Sequence, residues 1–259
     1  MPTATPLTDA INALTQYANE TTGQSDTNLS DAVGTLVAGY GGGGGGGSDL
    51  VDWLSNAMTT LERSDVITIG DRAAQGHIIT KIDLPNCTSL GSEAFKDCGS
   101  LTSASLPKCV SLGSNALRNC RLPGIVLPKC TGTGTDTFYQ NGTGFTYADF
   151  GNAADNSTLT LRSWTFEGLA NFGLLIIRYP VRAVMDNKNI FDGTRFKSGG
   201  AGGDIYIPKS LYDHLGDGTA DDYKAATNWS TYDGYGTITW HAIEGSQYEN
   251  YYADGTPIE

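Results

Sequence analysis

A chain of 259 residues with 39% apolar side chains can fill a core, but only 17% of it is charged and 34 residues are glycine, which favours short strands and frequent turns over long charge-coated helices. With 16 basic against 28 acidic residues the net charge is −12, a surface that repels phosphate backbones and anionic membranes and sets aside nucleic acid as a partner. No stretch approaches the roughly 20 apolar residues of a membrane-spanning helix, so no membrane insertion is expected.

Residues 1–40 read as a small helical segment. Leu7, Ile11, Leu14 and Ala18 recur at steps of three and four behind Thr5 and Pro6, and Leu29, Val33, Leu36 and Val37 form a second stripe behind Asn28, with Asp31 in the first turn. Helices this short are marginal alone, so their stripes need a partner. Either they cap the rest of the chain or they drive self-association and docking onto a larger assembly; the expectation taken forward is a homo-oligomer held through 1–40, a trimer by analogy. The opening Met-Pro-Thr-Ala-Thr-Pro has neither a basic region nor an apolar run, so export by a signal of its own is not expected. Gly41 to Gly47 is an unbroken glycine run, and 41–48 is therefore a flexible linker. A helix is predicted over 49–62 through Leu50, Val51, Leu54, Met58 and Leu61, within a segment 49–81 that would cap the N-terminal end of the body formed from residue 82 onward.

From residue 82 the chain repeats. Ile-Asp-Leu-Pro-Asn-Cys at 82–87 returns as Ala-Ser-Leu-Pro-Lys-Cys at 104–109 and Ile-Val-Leu-Pro-Lys-Cys at 125–130. Between the first two copies, Thr-Ser-Leu-Gly-Ser-Glu-Ala-Phe-Lys-Asp-Cys at 88–98 matches Val-Ser-Leu-Gly-Ser-Asn-Ala-Leu-Arg-Asn-Cys at 110–120. Weaker copies place strand anchors at Leu84, Leu106, Leu127, Phe150, Tyr179 and Ile207, with a second apolar anchor at Phe95, Leu117, Phe138, Phe166 and Phe191. A period of about 20–29 residues is that of stacked units that bury their apolar faces only against one another. The prolines after the anchors end each ladder by removing a donor. Cys87, Cys109 and Cys130 share one repeat position and Cys98 and Cys120 another, so two inward ladders of reduced thiols are expected rather than disulfides, whose torsion parallel stacking does not supply.

These residues resemble the BspA-like leucine-rich repeats, strongly over 82–130 and less so to about 240. The resemblance implies a β-rich leucine-rich-repeat solenoid of short parallel strands with turns and short helices over 82–210. It implies a C-terminal cap and tail over 211–259, where Ile-Tyr-Ile-Pro-Lys-Ser-Leu-Tyr at 205–212 and the helix carrying Trp229 look like the family's closing unit. The insertion at 213–222 departs from that pattern.

No nucleophile elbow, phosphate-cradling loop, zinc-ligand spacing or His-Glu-x-x-His pair occurs, so the expectation is no enzyme, no cofactor and no metal site. A glycosidic carboxylate pair is the one chemistry that sequence leaves open. Asp213, Asp217, Asp221 and Asp222 offer oxygen ligands for calcium but lack the order of an EF-hand loop, and a solvated acidic loop is the simpler reading. Trp240, Tyr248, Tyr251 and Tyr252 are the candidate binding residues, aromatic faces with hydrogen-bonding tips; the alternative is that they pack on the last coil.

The order of short N-terminal helices, glycine hinge and distal repeat domain looks like that of bacteriophage tail or head appendage proteins. That likeness implies a virion-surface protein made in the host cytoplasm. Residues 1–40 would then contact other virion proteins, and the repeats would meet a host-surface protein or glycan. A bacterial cell-surface adhesin is the alternative.

Overall fold

The computed structural model describes residues 58–152, 154–197 and 199–258. The helical segment expected at 1–40, the linker at 41–48 and most of the helix expected at 49–62 lie outside the described residues.

Two lines of short parallel strands run along a stack of coils. The first line holds β1 (Thr60–Glu62), β3 (Lys81–Asp83), β5 (Ser103–Ser105), β7 (Gly124–Leu127), β8 (Tyr147–Phe150), β10 (Leu174–Ile177), β12 (Gly203–Ile207) and β13 (Ile238–Ala242). The second holds β2 (Thr68–Ile69), β4 (Ser89–Leu90), β6 (Ser111–Leu112), β9 (Thr160–Leu161) and β11 (Val184–Met185). Pairing along the first line is parallel but breaks once, into a sheet β1-β3-β5 and a sheet β13-β12-β10-β8-β7. The helices α1 (Lys209–Tyr212) and α2 (Trp229–Asp233) are single turns near the C-terminal end. Among the described residues no helix is long and apolar enough to cross a membrane.

Alternation sorts each strand into core and surface. Leu61, Ile82, Ala104, Ile125, Ala148, Leu175, Ile205 and Trp240 form one inward row. The anchors Leu84, Leu106, Leu127, Phe150, Ile177 and Ile207, all buried, form the next. The second apolar anchors, Phe95, Leu117, Phe138, Phe166 and Phe191, are each fully buried on the far wall. There the rings of Phe138, Phe166 and Phe191 stack face to face at 5.5 and 5.8 Å. Leu101 and Leu122 give way along their row to Phe145, Phe172 and Phe196, so the later coils are filled by aromatic side chains.

Three expectations change. Thr60–Glu62 is a strand where a helix was predicted, because Leu61 lies opposite Ile82 in a parallel ladder; an apolar residue at 61 satisfies both periodicities, and tertiary pairing decides. The stacked strands therefore begin before 82 and, with β13, run past 210. The fifth anchor is Ile177, opposite Phe150, and not Tyr179. Arg178 and Tyr179 separate that anchor from Pro180, and both have other buried work: the Tyr179 hydroxyl donates to the Cys130 carbonyl at 2.9 Å. Its ring also lies over Gly151, where a Cβ would come within 2.5 Å of it.

Coil length grows along the stack. The aligned positions Leu84, Leu106, Leu127, Phe150, Ile177, Ile207 and Ala242 lie 22, 21, 23, 27, 30 and 35 residues apart. The first coils are closed by turns with two left-handed positions each, such as Asn115 (φ 59°) and Asn119 (φ 55°). The widest end is sealed by the Trp229 ring, fully buried, whose Nε1 donates to the Ala183 carbonyl at 2.9 Å. In the acidic insertion Asp222 is buried and accepts the backbone N–H groups of Gly216, Gly218 and Lys224, while Asp213 pairs with Lys209 and Asp217 with His214. These carboxylates fix the loop's own shape.

All five cysteines are buried free thiols. Cys87, Cys109 and Cys130 each donate to the carbonyl two residues on, at 3.3, 3.4 and 3.4 Å, and Cys98 and Cys120 donate into the preceding coil, to Ala74 and Phe95. Burial raises every one of these pKa values, Cys98 to about 11 and Cys130 to about 12. In the unfolded chain a thiol ionises near pH ~8.5, so the protonated ladders stabilise the fold below that pH and lose their contribution as pH climbs through the folded values. Iodoacetamide at pH 8 is expected to leave the native protein unmodified and to label five sulfurs in denaturant. The melting temperature should fall from pH 8.5 to 11 more steeply than in a Cys109→Ala, Cys120→Ala variant. Labelling of the native protein at the rate of free cysteine would rule the buried ladders out.

Candidate binding face

The side chains that alternate with the inward rows point out of the first line of strands and build one continuous face. One outward row is Thr60, Lys81, Ser103, Gly124, Tyr147, Leu174, Asp204 and Thr239; the other is Glu62, Asp83, Ser105, Val126, Asp149, Ile176, Tyr206 and His241. The two halves of this face differ. On β1, β3 and β5 it is polar and exposed or half-buried, whereas Asp149 and Ile176 in the second half are fully covered.

What covers them is the chain's own C-terminal tail. Residues 250–258 fold into a small hairpin, with Tyr251 bridged to Pro257 and the Tyr252 N–H donating to the Thr256 carbonyl. Arg178, just beyond β10 on the outward side, holds the hairpin to the sheet. Its guanidinium donates twice to Asp149, at 2.8 and 2.7 Å, and once each to the carbonyls of Tyr248 and Tyr251, at 2.8 and 2.9 Å. The Ala253 N–H completes the carboxylate at 2.9 Å, and the Tyr252 ring lies 5.0 Å below the guanidinium. Burial raises the Asp149 pKa, against the pull of Arg178 and the Ala253 N–H. The Arg178 and Asp149 side chains are 4% and 0% exposed, so this is a buried ion pair to which the tail adds two acceptors and one donor.

The four aromatic residues expected to bind are not gathered into one site. Trp240 is an inward residue of β13, 9% exposed, packed on Tyr223 and Trp229, with its Nε1 donating to Asp233. Its edge borders a shallow hollow of about 390 Å³ with Tyr212 and Lys224. Tyr248 meets the Tyr206 ring edge-on at 4.7 Å, beside Tyr206 stacked on His241. Tyr251 is half exposed, and Tyr252 reaches a groove of about 360 Å³ where the tail ends and the open half of the face begins. Sequence reasoning missed Asp149 and Arg178. The available signal was a charge inside each of two apolar strand patterns, Tyr-Ala-Asp-Phe and Leu-Ile-Ile-Arg-Tyr.

Residues 56–180 match the sequence model of the BspA type leucine-rich repeat region, in six copies. Residues 56–180 form a BspA-like leucine-rich repeat region. The match starts earlier than the visible repetition, in agreement with the position of β1. Solved structures similar to the chain include a leucine-rich repeat protein of T. pallidum, at 18% identity over 50% of this chain and 68% of that one, with a TM-score of 0.35. Another is a leucine-rich repeat protein of Bacteroides ovatus, at 15% identity over 70% and 71%, with a TM-score of 0.19. No curated protein matches the chain. BspA-like repeats of this kind make a binding and scaffolding architecture, in which a rigid stack displays one extended surface.

Proposed function

We propose that this chain is a non-enzymatic structural protein of a bacteriophage particle, of fibre or decoration type, that presents the outer face of its solenoid to a host or mucosal surface. The observation that carries the binding role is the open half of that face. Glu62, Lys81, Asp83, Ser103 and Ser105 stand on short strands locked into a stacked core and lie outside the part of the face, around Asp149 and Ile176, that the tail covers. A rigid surface of this sort loses little entropy on binding. The particle role rests on the sequence order of apolar stripes at 1–40, glycine run and repeat stack. Residues 1–40 then associate, as a trimer, and hold other virion proteins, while the glycine run lets the solenoid turn toward its receptor.

Immunogold labelling of intact particles with antibody against the solenoid is expected to decorate the virion surface, and light scattering to give a trimer for the full chain and a monomer for residues 49–259. Label confined to a bacterial cell surface, with none on particles, would replace the virion setting by that of a cell-surface adhesin.

A further inference from the structure

We infer that the groove between β5 and β7 is a carbohydrate subsite that takes an uncharged hexose unit of a surface glycan. The inference rests on the reading of the outer face as the binding surface and names what that face holds. The groove lies where the first line of strands breaks: β5 ends one sheet and β7 ends the next, and no ladder joins them. Each is an edge strand there, and edges offer backbone donors and acceptors. The groove, of about 360 Å³, is bordered by the small residues Ser103 and Ser105 on the β5 side and, on the β7 side, by the Tyr147 ring over Gly124. That volume is within the range of small-molecule sites, about 300–1,000 Å³.

Two tyrosines wall it. Tyr147 lies across Gly124, where a Cβ would meet its ring at 2.5 Å, so the glycine is what lets the ring lie flat on the sheet. Tyr252 is held on one face by the Arg178 guanidinium, 5.0 Å over its ring. Ring faces of this kind cover the C–H side of a pyranose while hydroxyl tips remain for its oxygens. The polar groups at the rim suit the hydroxyls of a sugar. Ser103 and Ser105 each donate and accept, and the Asp254 carboxylate takes the Thr256 N–H and hydroxyl on one oxygen, Oδ1, at 2.9 and 2.7 Å, leaving Oδ2 for a ligand. Charge decides the class of sugar. The lining carries one carboxylate and no cationic side chain, so a sialic or uronic acid would set its own carboxylate beside Asp254 without compensation. A neutral hexose meets no such cost.

The test uses the full-length protein with methyl glucoside, galactoside and mannoside and with N-acetylneuraminic acid as probes, read by saturation-transfer NMR, alongside adhesion of the same protein to mucin-coated plates and host cells. At least one neutral hexoside is expected to bind and the acid not to. Asp254→Ala should weaken the hexoside about tenfold, the worth of one charge-assisted hydrogen bond. Ser105→Arg, which fills the groove from an exposed position, should abolish binding with the melting temperature unchanged. Binding by the acid and not the hexosides would overturn the assignment. If no saccharide binds while Ser105→Arg still abolishes adhesion, the face is the binding surface but its ligand is a protein, and the carbohydrate subsite alone falls. If Ser105→Arg alters neither, the reading of the face falls with it.

Discussion

Leu106→Asp is expected to lower the unfolding free energy by about 3–5 kcal/mol, a large share of the roughly 5–15 kcal/mol that keeps a domain folded. Leu106 is 1% exposed and sits in the anchor row between Leu84 and Leu127, with Cys109 three residues on. A carboxylate there has no partner: the neighbouring anchors are aliphatic, and the nearby polar groups are backbone carbonyls already engaged by sulfur and by the next coil. Since each coil buries its apolar face only against its neighbours, the damage reaches Leu84 and Leu127 as well as the mutated coil. Urea unfolding followed by circular dichroism measures it. A variant as stable as the parent would mean that the stack is not built on this row.

Arg178→Met should cost about 3–5 kcal/mol, because it leaves the Asp149 carboxylate buried with only the Ala253 N–H and strips two tail carbonyls of their donor. The same change is expected to free residues 246–258, so that limited proteolysis cuts the tail while the body survives. Asp149→Leu combined with Arg178→Met should recover much of the loss, since the pair of charges is then removed together and the large desolvation cost with it. Equal losses in the single and double variants would show that the ion pair is not what holds the hairpin.

The parts of the fold that repeat were legible, and for a physical reason. Every coil must offer the same side chains to its neighbour, so Leu-Pro-x-Cys and Ala-Phe or Ala-Leu recur at the spacing of one coil, and the buried cysteines could be placed from their register alone. Tyr179 was misplaced because alignment followed Pro180, and the two residues inserted before that proline leave no trace in the pattern. The clamp on the tail was illegible for the opposite reason. Asp149 and Arg178 are unique to their coils, and the carbonyls they organise lie 70 and 73 residues beyond the arginine, with no period to connect them. Trp240 and Tyr252 are both aromatic and near in sequence, yet strand parity sends one into the core and the hairpin carries the other to the groove.

The unequal coils of the stack bear on how such a chain can change length over evolutionary time. Where successive coils differ by a single residue, as between Leu84, Leu106 and Leu127, excising or duplicating one unit joins two rims of nearly the same circumference, and the rows inside meet like for like. Beyond Phe150 each coil is longer than the last and is filled by rings in place of aliphatic chains, so the same operation would press a wide rim onto a narrow one and strand an aromatic side chain against a space cut for leucine. Gain and loss of units is therefore expected at the slender end of the body, and relatives that differ in length should keep the broad end, with its clamp and its tryptophan seal, whole.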